Sequence, residues 1–336
     1  MKLLSTDIAH IALKPILIRQ IQEAIRLSKE IIRRDKVSDL SCKGYLSKDI
    51  EQPQTVPLNR INRGTSEIEY VSAIALKLSR LPGESVDVVQ TIDAQTIVAQ
   101  TISAYLTNSI KAVGDKAIVH QPLSDALWRN FTVKVVPSGW IHLQLSDLGL
   151  ASWLQILTER SIRLGDRLRQ KNVHENDNQL LRNSTRLFEL QHTHARCCSQ
   201  IYLAQQVGLL SSSENSSEGS PSDLQFGSVL IPKPFPWLDS RQSLRFQHPA
   251  EHELISQLVA TVDTLSDAPS QLSILKVGKS LSQNFIKFHA ACRVFAEIKT
   301  AESELAQARL GLVLATQAVL KALLEEGLDV YAPTKL

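Results

Sequence analysis

"FELQHTHARCCSQIYLA", residues 188–204, sets His192, His194, Cys197 and Cys198 within seven residues. Imidazole nitrogens and thiolates are the usual ligands of zinc, and two ligands at i and i+3 or i+4 on a helix can share one ion, so His194 with Cys197 or Cys198 is geometrically possible. A closed site needs further ligands, and none stands at a recognisable spacing elsewhere in the chain. Leu187, Leu190, His194, Cys197, Ile201 and Ala204 also fall alternately three and four residues apart, which is one stripe of a helix. On such a stripe a cysteine behaves as a small hydrophobe. The spacing predicts a core helix, with no metal.

Other chemistries find less support. There is no Gly-x-Ser-x-Gly nucleophile elbow, no His-Glu-x-x-His and no Gly-rich phosphate loop. "QHPAEHE" offers His248, Glu251, His252 and Glu253, but a Pro followed by acidic residues reads as the start of a helix.

The elements that carry these residues follow from periodicity. "KPILIRQIQEAIRLSKEIIRR" opens with Pro15 and repeats Ile18, Ile21, Ile25 and Ile32 at helical spacing. The period is lost between Asp35 and Arg63, where a long irregular connection is expected. "EYVSAIALKLSR" and "QTIVAQTISAYLTNSI" read as helical. In "FTVKVVPSGWIHLQLS" the period becomes two on either side of Pro-Ser-Gly, which predicts a β-hairpin. A helical tract of mixed charge runs from Ala151 to Lys171 and another begins near Gln179; residues 211–223 are low in complexity; three further apolar helices complete the chain. The expected class is α+β: a hairpin-containing domain at 1–155, a helical linker at 156–186, and an all-α bundle at 187–336.

The totals bound the function. With 336 residues and 43% hydrophobic content, each domain can bury its own core. A net charge of +3 falls short of what would by itself announce a nucleic-acid binder. The four cysteines form no disulfide framework, the amino terminus carries Asp7 where a signal peptide needs an apolar run, and no run of eighteen apolar residues occurs. A soluble cytoplasmic protein is expected.

The opening segment resembles the Gln-Tyr-Ala-His-Ala-Arg signature that begins the anticodon-binding domain of arginyl-tRNA synthetases. Gln191, His194, Ala195 and Arg196 match it, and His192 and Thr193 replace Tyr and Ala. Downstream, "FQHPAEHELISQLV", "FIKFHAACRVF" and "ARLGLVLATQAVLKALLEEGLDVYAPTKL" resemble the family's remaining helices and its Gly-Leu, Ala-Pro tail, which is a few residues shorter here between Gly327 and Ala332. More loosely, "IEYVSAIALKLSR" and "VVPSGWIHLQLS" resemble the family's amino-terminal additional domain, with Ile68 and Glu69 replacing Gly-Asp and His142 replacing Asn.

The resemblance implies a fold of the class I synthetase anticodon-binding type and tRNA as partner. The family's catalytic domain, with its His-x-Gly-His motif for ATP, has no counterpart: none of the nine histidines begins or ends such a motif. "KVGKS", 276–280, imitates the family's Lys-Met-Ser-Lys-Ser loop but falls on an expected helix of the bundle. The expected protein is therefore not an enzyme, takes no cofactor, and recognises tRNA, arginine tRNA by ancestry. Arg196, Arg293 and Arg309 stand at family arginines. Lys276, Lys279 and Lys287 are candidates for phosphate, Gln191 for a polar contact, and Trp237 and Tyr331 for base stacking. By the same resemblance Trp140, His142 and Gln144 would alternate onto one strand face and meet the tRNA elbow. The alternative reading is a protein-interaction scaffold or a regulator of full-length arginyl-tRNA synthetase that has lost RNA binding, favoured by the small net charge and the departures from the family pattern.

Overall fold

The computed structural model describes residues 4–34, 56–61, 67–79, 88–114, 123–164, 185–212, 230–267, 269–295 and 303–336. It divides into two units, one built from Leu13–Arg63 and Glu67–Gly149, the other chiefly from Met1–Ala12 and Leu150–Leu336. Most of the connection expected over 35–63, the low-complexity stretch beyond Ser212, and residues 165–184 of the expected linker lie outside the described residues.

The first unit is an antiparallel sheet with helices. α1 (Leu13–Arg34) takes in Pro15 as its third residue and buries Ile16, Leu17, Ile21 and Ile25, one face at helical spacing. Strands β2 (Leu58–Ile61), β3 (Ile68–Ser72), β4 (Phe131–Val136) and β5 (Trp140–Leu145) form a sheet in the order β2-β3-β5-β4. Ile68, Tyr70, Phe131, Ile141, Leu143 and Leu145 are buried, and α3 (Val88–Gly114) packs on β4 and β5. α2 (Ile74–Leu78) and α4 (Leu123–Trp128) are short. The buried indole of Trp128 donates to Ser109 Oγ at 3.2 Å, and that hydroxyl donates to Gln20 Oε1 at 3.3 Å, tying α4, α3 and α1 together. The hairpin turns on Pro137, with Ser138 at φ 79° and Gly139 at φ 81°. Gly139 is required there: a Cβ would stand 3.0 Å from Gln95 Cβ and from the Gln95 carbonyl oxygen.

The second unit is a helical bundle with a two-stranded ribbon. β1 (Leu4–Asp7) pairs in parallel with β6 (Arg160–Arg163), which directly follows α5 (Asp147–Glu159). Trp153 of α5 donates from Nε1 to the Ile11 carbonyl at 2.8 Å. Glu326 holds the end of the ribbon, accepting from Arg163 Nη1 and from the Leu164 N–H, both at 2.9 Å. The bundle proper comprises α6 (Thr185–Gln206), α7 (Pro249–Ser266), α8 (Gln271–Ala291) and α9 (Ser303–Ala322), which passes into a π-helical turn at Leu323–Gly327. A small pair, β7 (Ser211–Ser212) and β8 (Leu230–Ile231), lies between α6 and α7 in the chain. α9 is buried on almost every side, as an apolar helix without a polar stripe must be. At Gly311 the Trp237 ring lies so close that a Cβ would come within 2.3 Å of Cη2.

Three expectations are corrected. "EYVSAIALKLSR" is not one helix: its first part is strand β3, ending at Ser72, whose Oγ donates to Pro57 O and accepts from the Ile74 N–H. The tract from Ala151 does not continue as helix to Lys171, because α5 ends at Glu159 and β6 follows, drawn into pairing with the amino terminus. The first twelve residues fall with the bundle, and the boundary between the units lies at Gly149–Leu150. The first two corrections have one cause: pairing with a strand remote in sequence overrides a local helical period.

Candidate nucleic-acid interface

α6 presents two opposite faces. Leu190, His194, Cys197, Ile201 and Ala204 are buried, the stripe that the spacing predicts. His194 is saturated by hydrogen bonds. Its Nδ1–H donates to the Pro333 carbonyl at 2.8 Å, so the ring is protonated there, and Nε2 accepts from Gln317 Nε2 at 2.9 Å. Desolvation holds this histidine below the ordinary imidazole value, and burial pushes the Cys198 thiol up to about 12. A neutral imidazole with both nitrogens engaged, beside protonated thiols, is a packing group. Among the described residues no group of three or more His, Cys, Asp or Glu side chains could hold a metal ion.

The outward face is different in kind. Phe188, His192 and Arg196 follow one another at i, i+4 and i+8, all exposed. Phe188 is 59% exposed, and its ring stacks on His192 with centroids 5.9 Å apart and planes at 30°. Arg196 Nη2 lies 3.4 Å from His289 Nδ1 on α8, and burial together with this guanidinium holds His289 below the ordinary value. Gln191, one turn from Phe188, donates from Nε2 to the Tyr331 carbonyl at 3.1 Å, and the Tyr331 ring is 71% exposed. Phe188, His192 and Arg196 thus form one exposed row on α6, and Gln191 ties the backbone of Tyr331 to the same helix. Aromatic faces of this kind stack on unpaired bases, and a guanidinium beside them serves a phosphate or a base edge. Phe188 and His192 are absent from the sequence-based candidates, although their spacing opposite the apolar stripe was there to be read.

Lys276, Lys279 and Lys287 occupy one solvent face of α8 over about 16 Å at 1.5 Å per residue. Lys287 Nζ is 3.6 Å from Glu253 Oε2, an exposed pair. "KVGKS" is helical throughout. Arg293 is exposed just past the end of α8.

Two candidates are corrected. Trp237 is 3% exposed, packed between Phe235 and Phe246, with its Nε1 donating to Gln155 Oε1 at 2.7 Å; no face of its ring is available to a base. Arg309 is 9% exposed, and its Nε donates to Glu251 Oε1 at 2.7 Å. Both belong to the core.

In the sheet unit, Trp140, His142 and Gln144 do share one face of β5, with Lys134 opposite His142 on β4. His142 Nδ1 lies 2.7 Å from Glu69 Oε1 on β3, and Lys134 Nζ donates to Gln144 Oε1 at 3.4 Å. Two of the three substituted positions, Glu69 and His142, therefore face and bind each other.

Compared with known families, residues 190–336 match the DALR anticodon binding domain. This segment is a DALR anticodon binding domain. Among curated proteins the chain is similar to the arginine–tRNA ligase of Moorella thermoacetica, 31% identical over 153 residues, and to that of Synechococcus sp. (strain JA-3-3Ab), 33% identical over 102 residues. The first match covers 45% of this chain and 22% of the relative, the second 30% and 17%. The chain thus spans about a fifth of the length of these relatives. No solved structure matches. The match takes in α6 from Leu190 onward, α7 to α9 and the tail, and within it His194 is a buried, hydrogen-bonded histidine.

Proposed function

We propose that this protein is a noncatalytic relative of arginyl-tRNA synthetase that binds tRNA, arginine tRNA by ancestry, through the outward face of α6 and the adjoining tail. The observation that carries the reading is the exposed row of Phe188, His192 and Arg196 on α6, with the exposed Tyr331 held to the same helix through Gln191, on a segment that matches an anticodon binding domain. Unpaired loop bases are recognised by stacking and edge contacts, with Lys and Arg on the phosphates. Lys276 and Lys279 supply further positive charge.

The noncatalytic part rests on the stretch between α5 and α6. Only residues 160–184 lie there, fewer than the roughly 30 that one βαβ unit of a nucleotide-binding sheet requires. Purified chain is expected to give no arginine-dependent exchange of pyrophosphate into ATP, and a rate above background would overturn that part alone.

Filter binding of unfractionated tRNA tests the recognition. The expected result is saturable binding that weakens steeply with salt as counterions are released. No retention at about 50 mM salt would end the reading. A second reading, a scaffold or synthetase regulator, has one specific observation in its favour, the Glu69–His142 pair that occupies the sheet face where an RNA contact is expected. Nuclease-resistant recovery of a stoichiometric protein partner, such as full-length arginyl-tRNA synthetase, would favour it.

A further inference from the structure

The tail after α9 is fixed at its backbone and free at its aromatic ring. The Leu328 N–H donates to Leu323 O at 3.0 Å and the Val330 N–H to Leu324 O at 2.8 Å, with Asp329 between them at φ 54°. Gln191 then holds the Tyr331 carbonyl, Ala332 is 3% exposed, and His194 holds the Pro333 carbonyl from inside the bundle. Behind His194 stands Gln317 of α9, 8% exposed, whose amide fixes the imidazole by occupying its second nitrogen. The backbone is thus anchored on both sides of Tyr331 by a relay running from α9 through α6 to the tail. The Tyr331 ring projects outward, and at 71% exposure it adds little to the core.

A chain of buried polar groups is a costly way to secure a terminus that apolar packing could hold, and what it adds is a fixed geometry. A ring whose backbone is already immobilised loses less freedom when a ligand stacks on it, so more of the stacking energy appears as affinity. We infer that His194 and Gln317 are positioning residues, which set Tyr331 in place to stack on an unpaired nucleobase. This rests on the RNA-binding reading and adds to it that affinity depends on two side chains that never touch the RNA.

A double-mutant cycle on the full chain, with unfractionated tRNA as probe, separates the two. Tyr331→Ala is expected to weaken binding roughly 5- to 150-fold, the range for one lost base–aromatic stack, without changing the salt slope. Gln317→Met keeps the volume and removes the amide; it should weaken binding while Tyr331 is present and have no further effect once Tyr331 is alanine. Circular dichroism and a thermal melt establish that each variant is folded, and a fluorotyrosine label at residue 331 should show a broadened resonance in Gln317→Met. Equal losses in both backgrounds would mean that Gln317 serves the fold alone and would overturn the inference. Unchanged affinity in Tyr331→Ala would also overturn it while leaving tRNA binding intact. Failure of the unmodified chain to bind tRNA would sink the reading beneath it.

Discussion

Arg309 Nε donates to Glu251 Oε1 at 2.7 Å, while Glu251 Oε2 accepts from the backbone N–H groups of Gln247 and His248 at 2.9 and 2.8 Å. One fully buried carboxylate therefore closes the capping box of α7 and anchors α9 to that helix start. Arg309→Met is expected to destabilise the bundle by about 3–5 kcal/mol, since it leaves a buried charge without its partner. Urea unfolding measures the loss. At equal folded fraction tRNA affinity should not change, and a selective loss of affinity would return Arg309 to the interface.

Gly311 lies under the Trp237 ring, and the helix that carries it is buried on both flanks. Gly311→Ala gains helix propensity but forces either the ring or the helix to move, so the expected outcome is a net loss of about 1–3 kcal/mol. A thermal melt followed by tryptophan fluorescence reports both the stability and the displaced indole. An unchanged melting temperature would show that the Trp237 pocket yields readily.

The buried His194 gives stability a pH dependence with a definite sign. Desolvation lowers its pKa in the folded chain, so between that lowered value and about 6.5 the unfolded chain binds more protons. Stability contributed at this site is fully present above about 6.5, falls as the pH drops through that window, and levels off below the folded value. Protonating Nε2 also sets it against the Gln317 amide donor, and the nearby Lys321 opposes the added charge. Urea midpoints measured from pH 7.5 to 5 should decline in the native chain, and His194→Phe should lack this component. Equal slopes in the two would exclude His194 as its source.

Much of the bundle was legible because one period governs it: the apolar stripe of α6 is the observed buried face, and the hairpin was legible because alternation and a Pro-Ser-Gly turn coincide. β3 and β6 were not, because their residues fit a helical period and become strands only by pairing with partners far along the chain. The same limit applies to the interface. Arginine and tryptophan types marked Arg309 and Trp237 as candidates, but whether a ring or a guanidinium faces water is decided by tertiary packing. Phe188 was legible in principle, since it stands with His192 and Arg196 at i, i+4 and i+8 on the side opposite the apolar stripe.

The stacking contact on α6 and the charge contacts on α8 should separate in a titration. Phe188→Ala removes a stacking surface that carries no charge, so it should cost about 1–3 kcal/mol of tRNA affinity at every salt concentration. Lys276→Ala and Lys279→Ala should instead lessen the slope of log K against log salt by roughly one phosphate contact each. If Phe188→Ala binds as well as the native chain, the aromatic cluster is not the base platform.

In the sheet unit, the Glu69–His142 pair provides the most direct choice between the two functional readings. The pair sits beside Trp140 and Gln144 on the face where the resemblance places an RNA contact, and it engages the His142 Nδ1 that would otherwise face a ligand. His142→Asn with Glu69→Asp restores the family's residue types at both positions and dissolves the pair. If this face meets RNA, the double variant should bind tRNA more tightly with the salt slope unchanged, since a carboxylate stays at position 69, while Trp140→Ala should weaken binding in the native chain. If the face serves a protein partner, neither change should alter tRNA affinity, and the double variant should lose that partner in a nuclease-treated pull-down. The two single variants control for stability, because each alters one member of a part-buried pair while keeping the other.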